Sequence, residues 1–178
     1  MDFSQEQAMF PFDVTKPVVG QASVVINKPN TDIFVFIGDN FFQNYPKWAE
    51  EVTEFHPLNG LQVFVGAKAE QLRRDQGQEI KSVFEITEFH PYLRLAFKGL
   101  SAPYQNTYHL EPLDTGHATL LTYSFVLLEL ELFMRPFEKL IRTAIEEGAE
   151  NTVENIKKLL AESDEGGIST VTNHQLGA

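Results

Sequence analysis

Residues 134–162, MRPFEKLIRTAIEEGAENTVENIKKLLAE, decide the fold. Phe137, Ile141, Ala144, Ile145, Gly148, Thr152, Ile156, Leu159 and Leu160 recur at the spacing of one face of an α-helix. Pro136 suits a first helical turn, and Lys157 and Lys158 suit the negative end of the helix dipole. About 27 residues at about 1.5 Å each make a helix of about 40 Å. Gly148 is the anomaly, because glycine costs about 1 kcal/mol inside a helix. Either a neighbouring backbone passes close to it or the chain tolerates it. A helix with one apolar stripe must bury that stripe against another element.

The segments before it supply that element. Val18–Lys28 reads as a strand around Val24, Val25 and Ile26. Asn30–Ile37 is ambiguous: Ile33, Phe34, Val35, Phe36 and Ile37 favour a strand, while Pro29, Asn30 and Asp32 form a helix entry. Asn40–Glu51 reads as a short helical piece interrupted by Pro46. From Val52 onward the pattern is of strands: Val52–Pro57, Leu61–Arg74, Glu79–Phe89, Tyr92–Lys98, Tyr104–Leu113 and His117–Leu130. Turn signals separate them at Asn59-Gly60, Asp75-Gln76-Gly77, His90-Pro91 and Asp114-Thr115-Gly116. Alternation puts Ile80, Ser82, Phe84 and Ile86 on one face, and Leu121, Tyr123, Phe125 and Leu127 on one face of the last strand. Glu85 and Arg94 face outward and are expected to form a cross-strand ion pair of little weight.

The fold class is therefore α+β: a curved antiparallel sheet with one long C-terminal helix laid against it. A sheet curved around a single helix leaves a hollow, and function is expected there. Three divisions are expected, an N-terminal arm (1–17), one domain (18–162) and a flexible C-terminal tail (163–178).

Composition narrows the classes of partner. The formal net charge is -11 with five histidines and no cysteine, so disulfides, zinc thiolates and cysteine nucleophiles are excluded. No basic stripe of the kind that binds phosphates is present, which argues against nucleic acid. No apolar run approaches the ~18 residues of a membrane span, so no stable membrane insertion is expected. Met1–Gln7 lacks the pattern of a secretion signal, which makes a cytoplasmic location the default expectation. The histidines (His56, His90, His109, His117 and His174) show no metal-ligand spacing. No metal and no cofactor are expected.

Several stretches together resemble the SRPBCC superfamily, which includes lipid-transfer START domains, birch-pollen-allergen-like proteins and polyketide cyclases. ASVVINKPNTDIFVFI (22–37) resembles its opening strand, proline and first helix. Gly38-Asp39 and Pro46-Lys47-Trp48 resemble its second helical piece. VFEITEFHPYLRLAFKG (83–99) resembles the central hairpin, and YHLEPLDTGHATLLTYSF (108–125) the penultimate one. The resemblance spans Gln21–Glu162. It implies a helix-grip fold with two short helices after the first strand, a helix rather than a strand at Asn30–Ile37, and an apolar cavity between sheet and long helix. It carries no catalytic motif, because the superfamily shares none.

Trp48, Phe84, Leu95, Tyr108, Tyr123, Phe125, Phe137, Ile141 and Ile145 are the expected cavity residues, with close-packed core as the alternative for the same list. Tyr108 and Tyr123 are the weak catalytic candidates, since a buried phenol needs a partner and can polarise a carbonyl. Three functions remain open. The favoured one is binding or carriage of a hydrophobic small molecule, lipid-, polyketide- or isoprenoid-like, by a monomer or homodimer. The second is a polyketide cyclase or dehydratase with a tyrosine acid, and the third is a protein-interaction module.

Overall fold

A computed structural model describes residues 16–75 and 77–168. Seven strands form one antiparallel sheet: β1 (Val18–Ile26), β2 (Val52–Pro57), β3 (Lys68–Asp75), β4 (Gln78–His90), β5 (Arg94–Gly99), β6 (Tyr104–Leu113) and β7 (Ala118–Leu127). Their order is β1-β7-β6-β5-β4-β3-β2, so the chain's first two strands are the two edges. The link between those edges holds α1 (Asn30–Phe34), which runs on through a wider π turn at Val35–Asp39, and α2 (Phe41–Trp48). After β7 a 3₁₀ stretch, Leu132–Phe137, leads into α3 (Glu138–Ile168), 31 residues long.

Propensity and structure part company in four places. Ile33–Ile37 is helical despite its strand-forming residues, because Ile33, Phe34 and Ile37 can then all be buried on one side. The strand expected from Leu61 begins only at Lys68; Gly60 and Gly66 adopt φ +80° and +96°, which breaks an extended chain. The helix expected to stop at Glu162 continues to Ile168, so residues 163–168 of the expected tail are helical and Gly166-Gly167 does not end it. Residues 1–15 of the expected arm and 169–178 of the expected tail lie outside the described residues. Finally, Arg94 pairs with Glu88 (2.8 Å) and not with Glu85, which sits across from Lys98 and reaches Lys68 (4.0 Å).

The concave face of the sheet is filled in two different ways. Over β4, β5 and β6 it is covered by α2, whose Phe41, Tyr45 and Trp48 pack on Phe84, Phe97 and Tyr108 with ring centroids 5.4–6.2 Å apart. Phe84 and Phe97 lie 4.3 Å apart beneath them. Each such aromatic pair adds about 0.5–1.5 kcal/mol beyond its burial. Over β1 and β7 it is covered by α3. Only the C-terminal part of α3 packs fully: Ala149, Val153, Ile156 and Leu160 are buried at i, i+4, i+7 and i+11.

Gly20 sets how closely α3 approaches β1. A Cβ at Gly20 would stand 2.8 Å from the Ile145 carbonyl carbon and 2.9 Å from the Glu146 nitrogen. Arg135 and Arg142 fix the start of the helix. Arg135 is buried, donates to the Lys16 carbonyl (2.9 Å) and pairs with Glu138 (3.2 Å), which also accepts from Arg142 (3.0 Å).

Candidate functional site

The N-terminal half of α3 meets β1 at Gly20 but does not close on the strands beyond it. Between them lies a cavity of about 860 Å³. Ile141, Ala144, Ile145, Gly148 and Thr152 form its roof, Tyr104, Tyr123, Phe125 and Leu127 its floor, and Ile80, Ser82 and Arg73 one end. Trp48 and Glu51 close the side nearest α2. Phe137 and Leu140 are exposed on one flank, 54% and 69%, so the cavity is open to solvent there. Phe137 and Leu140 give this side an apolar border.

Of the nine residues expected at a cavity, Trp48, Tyr123, Phe125, Phe137, Ile141 and Ile145 line this one. Phe84, Leu95 and Tyr108 do not; they are at most 1% exposed, within the core that the α2 aromatics cover. Of the two alternatives for Gly148, a close neighbour is not what the structure shows. Nothing lies within 4 Å of the position a Cβ would take, and the gap belongs to the cavity.

The two expected tyrosines have their hydroxyls engaged. Tyr108 accepts from the Trp48 indole N–H (3.1 Å). Tyr123 donates to Asn106 Oδ1 (2.7 Å). Burial pushes both phenols well above the ordinary tyrosine value. Trp48 is anchored again through its carbonyl, which accepts from Asn155 Nδ2 (3.2 Å) and ties α2 to α3.

A second polar group, absent from the expected list, lies at the far end of the cavity. Its centre is Gln71 on β3, 1% exposed. Tyr45 donates to Gln71 Oε1 (3.1 Å), which fixes the amide orientation. The Gln71 NH₂ then donates to Ser82 Oγ (3.2 Å) and to the Tyr104 hydroxyl (3.1 Å). Gln71 lies opposite Ser82 in the β3–β4 ladder, and Arg73 opposite Ile80, so Gln71 and Arg73 share the concave face. Arg73 pairs with Glu51 across 3.0 Å. Burial lowers the Arg73 pKa, but the Glu51 carboxylate and the surrounding tyrosines outweigh it and hold the group above its usual value. Burial raises Tyr104, partly offset by the nearby Ser82 hydroxyl, by the Arg73 charge and by the Gln71 bond.

The signal for this group was present in the sequence. Tyr104 lies four residues before Tyr108 on one strand, and thus on the same face. Arg73 follows Ala69 and Gln71 at two-residue steps. A charged residue at an inward position marks a site more sharply than another aromatic does. Among the described residues no group of three or more His, Asp or Glu could hold a metal ion. No helix among them is long and apolar enough to cross a membrane.

A family model described as polyketide cyclase / dehydrase and lipid transport matches residues 18–161. No curated protein sequence matches the chain significantly. Solved structures share the fold. The protein TTHA0849 of Thermus thermophilus superposes with a TM-score of 0.65 at 16% identity, covering 82% of this chain and 99% of that one. KanY superposes at 0.66 and 16% identity, with the same coverage of 82% and 99%. The polyketide-cyclase-like protein Cgl2372 of Corynebacterium glutamicum gives 0.58 at 16%, covering 89% of this chain and 99% of its own. At such identities the likeness is one of fold.

Proposed function

The chain belongs to the polyketide cyclase / dehydrase and lipid transport family, and on that premise we propose that it binds and carries a hydrophobic small molecule in the cavity beneath α3. One observation supports this reading above the others. The apolar residues on the N-terminal half of α3, Ile141, Ala144 and Ile145, face about 860 Å³ of space that the chain's own side chains leave unfilled. Elsewhere the same sheet face is packed to completion by α2. Unfilled apolar volume costs stability, and a cavity of this size, lined by apolar groups with a few polar ones, suits a small organic ligand. The exposed apolar border at Phe137 and Leu140 fits an entrance for such a molecule.

The enzymatic alternative, a cyclase or dehydratase working through Tyr108 or Tyr123, has weaker support. Tyr108 lies under Trp48 and Phe41, and the Tyr123 proton is committed to Asn106.

The test is native mass spectrometry of protein purified from its source, followed by titration of the delipidated protein with N-phenyl-1-naphthylamine, a neutral apolar fluorophore. A co-purifying apolar molecule, and a saturable fluorescence rise that this molecule reverses, are expected. Protein that carries nothing and leaves the fluorophore dark would end the carrier reading.

A further inference from the structure

The cavity is not uniformly apolar, and its polar end has a direction. Tyr45 donates to Gln71 Oε1, so the amide nitrogen of Gln71 must be the end that faces Ser82 and Tyr104. An amide N–H only donates. Both hydroxyl oxygens therefore act as acceptors toward Gln71, and both keep their own proton. Among the described residues neither hydroxyl donates a hydrogen bond, so both protons are uncommitted at the cavity wall. Tyr104 is 5% exposed, and its ring stacks on Phe125 at 5.9 Å with the planes 10° apart, which holds it in place. The phenol is the more acidic hydroxyl and hence the better donor. Of the two uncommitted protons, that of Tyr104 is therefore the stronger donor to a ligand.

The geometry points to a subsite for a neutral carbonyl oxygen: Tyr104, oriented by Gln71 and Phe125, donates its proton to the C=O group of an apolar ligand whose body lies between Phe125 and α3. This assignment deepens the proposed carrier function and rests on it. A buried hydroxyl proton with no acceptor has a desolvation cost that a ligand acceptor removes. A carbonyl oxygen offers lone pairs and no proton, which matches hydroxyl protons that have no acceptor. The charges argue for a neutral head. Glu50, Glu51 and Arg73 all line the cavity, two acids against one base, and Glu51 already engages Arg73. A carboxylate would enter against that excess.

The test uses three probes of one shape: 2-acetylnaphthalene, its isostere 2-isopropenylnaphthalene (C=CH₂ in place of C=O), and 2-naphthoate. Each displaces N-phenyl-1-naphthylamine from wild-type protein, Tyr104→Phe and Ser82→Ala, with thermal melts to confirm folding. Tyr104→Phe is expected to weaken the ketone roughly three- to tenfold, the yield of one hydrogen bond, while leaving the alkene within twofold. Ser82→Ala, which removes the other hydroxyl, should weaken the ketone less than Tyr104→Phe does. Naphthoate should bind wild type more weakly than the ketone does. Equal effects of Tyr104→Phe on ketone and alkene would overturn the subsite, as would ketone loss in Ser82→Ala with retention in Tyr104→Phe. Naphthoate binding more tightly than the ketone, and losing that advantage in Arg73→Gln, would reassign the subsite to an anion. Failure of every probe, alkene included, would instead remove the cavity-binding reading on which the subsite rests.

Discussion

Ile141 and Ile156 lie on the same helix and read alike in the sequence, yet truncating them should have different consequences. Ile156 is fully buried where α3 packs against the sheet. Ile156→Ala removes three carbons, about 2.4 kcal/mol at about 0.8 kcal/mol each. A residual void of about 50 Å³ at about 24 cal/mol per Å³ adds about 1.2 kcal/mol. The sum, about 3.6 kcal/mol, lies within the range of about 2–5 kcal/mol seen for such truncations. Ile141 is half-buried and borders space that is already empty. Its truncation forfeits part of the transfer term and creates no new enclosed void, so about 1 kcal/mol is expected. For a domain of this size about 1 kcal/mol moves the melting temperature by roughly 2–4 °C. Ile156→Ala should therefore melt about 7–14 °C below wild type and Ile141→Ala less than about 4 °C below, by circular dichroism in ligand-free buffer. Equal losses would refute the reasoning, since they would mean that α3 packs along its whole length and no cavity lies beneath Ile141.

Three further outcomes follow from the same structure. Gly20→Ala should destabilise by about 1–3 kcal/mol, because its methyl would strike the backbone of Ile145 and Glu146 and no rotamer relieves that; chemical denaturation measures it, and a neutral result would mean that α3 can lift from β1 freely. Gln71→Leu strips partners from Tyr45, Ser82 and Tyr104 at once and should cost about 2–4 kcal/mol, whereas Ser82→Ala alone should cost about 1 kcal/mol in the same denaturation experiment. Alkali should unfold the protein cooperatively. Burial raises the phenols of Tyr45, Tyr104, Tyr108 and Tyr123 above the ordinary 10.0. The unfolded chain releases these protons first, so stability is complete below pH 10.0 and falls above it by at most about 1.4 kcal/mol per phenol per pH unit. Tyrosinate absorbance at these positions should rise together with loss of secondary structure, and ionisation while the fold stays intact would contradict the burial.

Much of this architecture was legible before any coordinates. Alternation assigned the faces of β4, β5 and β7, and the order of elements pointed to a sheet gripping one helix. What alternation cannot give is depth. Phe84, Tyr108, Tyr123 and Phe125 all point to the concave face, but α2 covers the first two and leaves the others beside the cavity, and that depends on where Phe41, Tyr45 and Trp48 fall in three dimensions. A helical stripe is similarly silent on what faces it: Ile141, Ala144 and Gly148 border the cavity, whereas Val153, Ile156 and Leu160 pack against protein. Ala149 and Val153, which do pack, were missed because a small residue and a β-branched one are weak markers of a helix core. Arg73 escaped notice for the opposite reason, since a charge within a balanced segment reads as surface unless its two-residue phase is followed from Gln71.

The central claim is that the space beneath α3 exists to be occupied, and Gly148 offers the most direct way to test it. Its position is helical, and nothing lies within 4 Å of where a Cβ would stand. Gly148→Phe adds a ring to the cavity lining at a position where its Cβ meets no neighbour, and replacing glycine within a helix favours folding. The measurement is titration of N-phenyl-1-naphthylamine into wild type and Gly148→Phe, alongside their melting temperatures. The account predicts saturable binding to wild type, and for the variant a melting temperature equal or higher with binding lost or weakened at least tenfold. A variant that folds as well and still binds the fluorophore as tightly as wild type would contradict it.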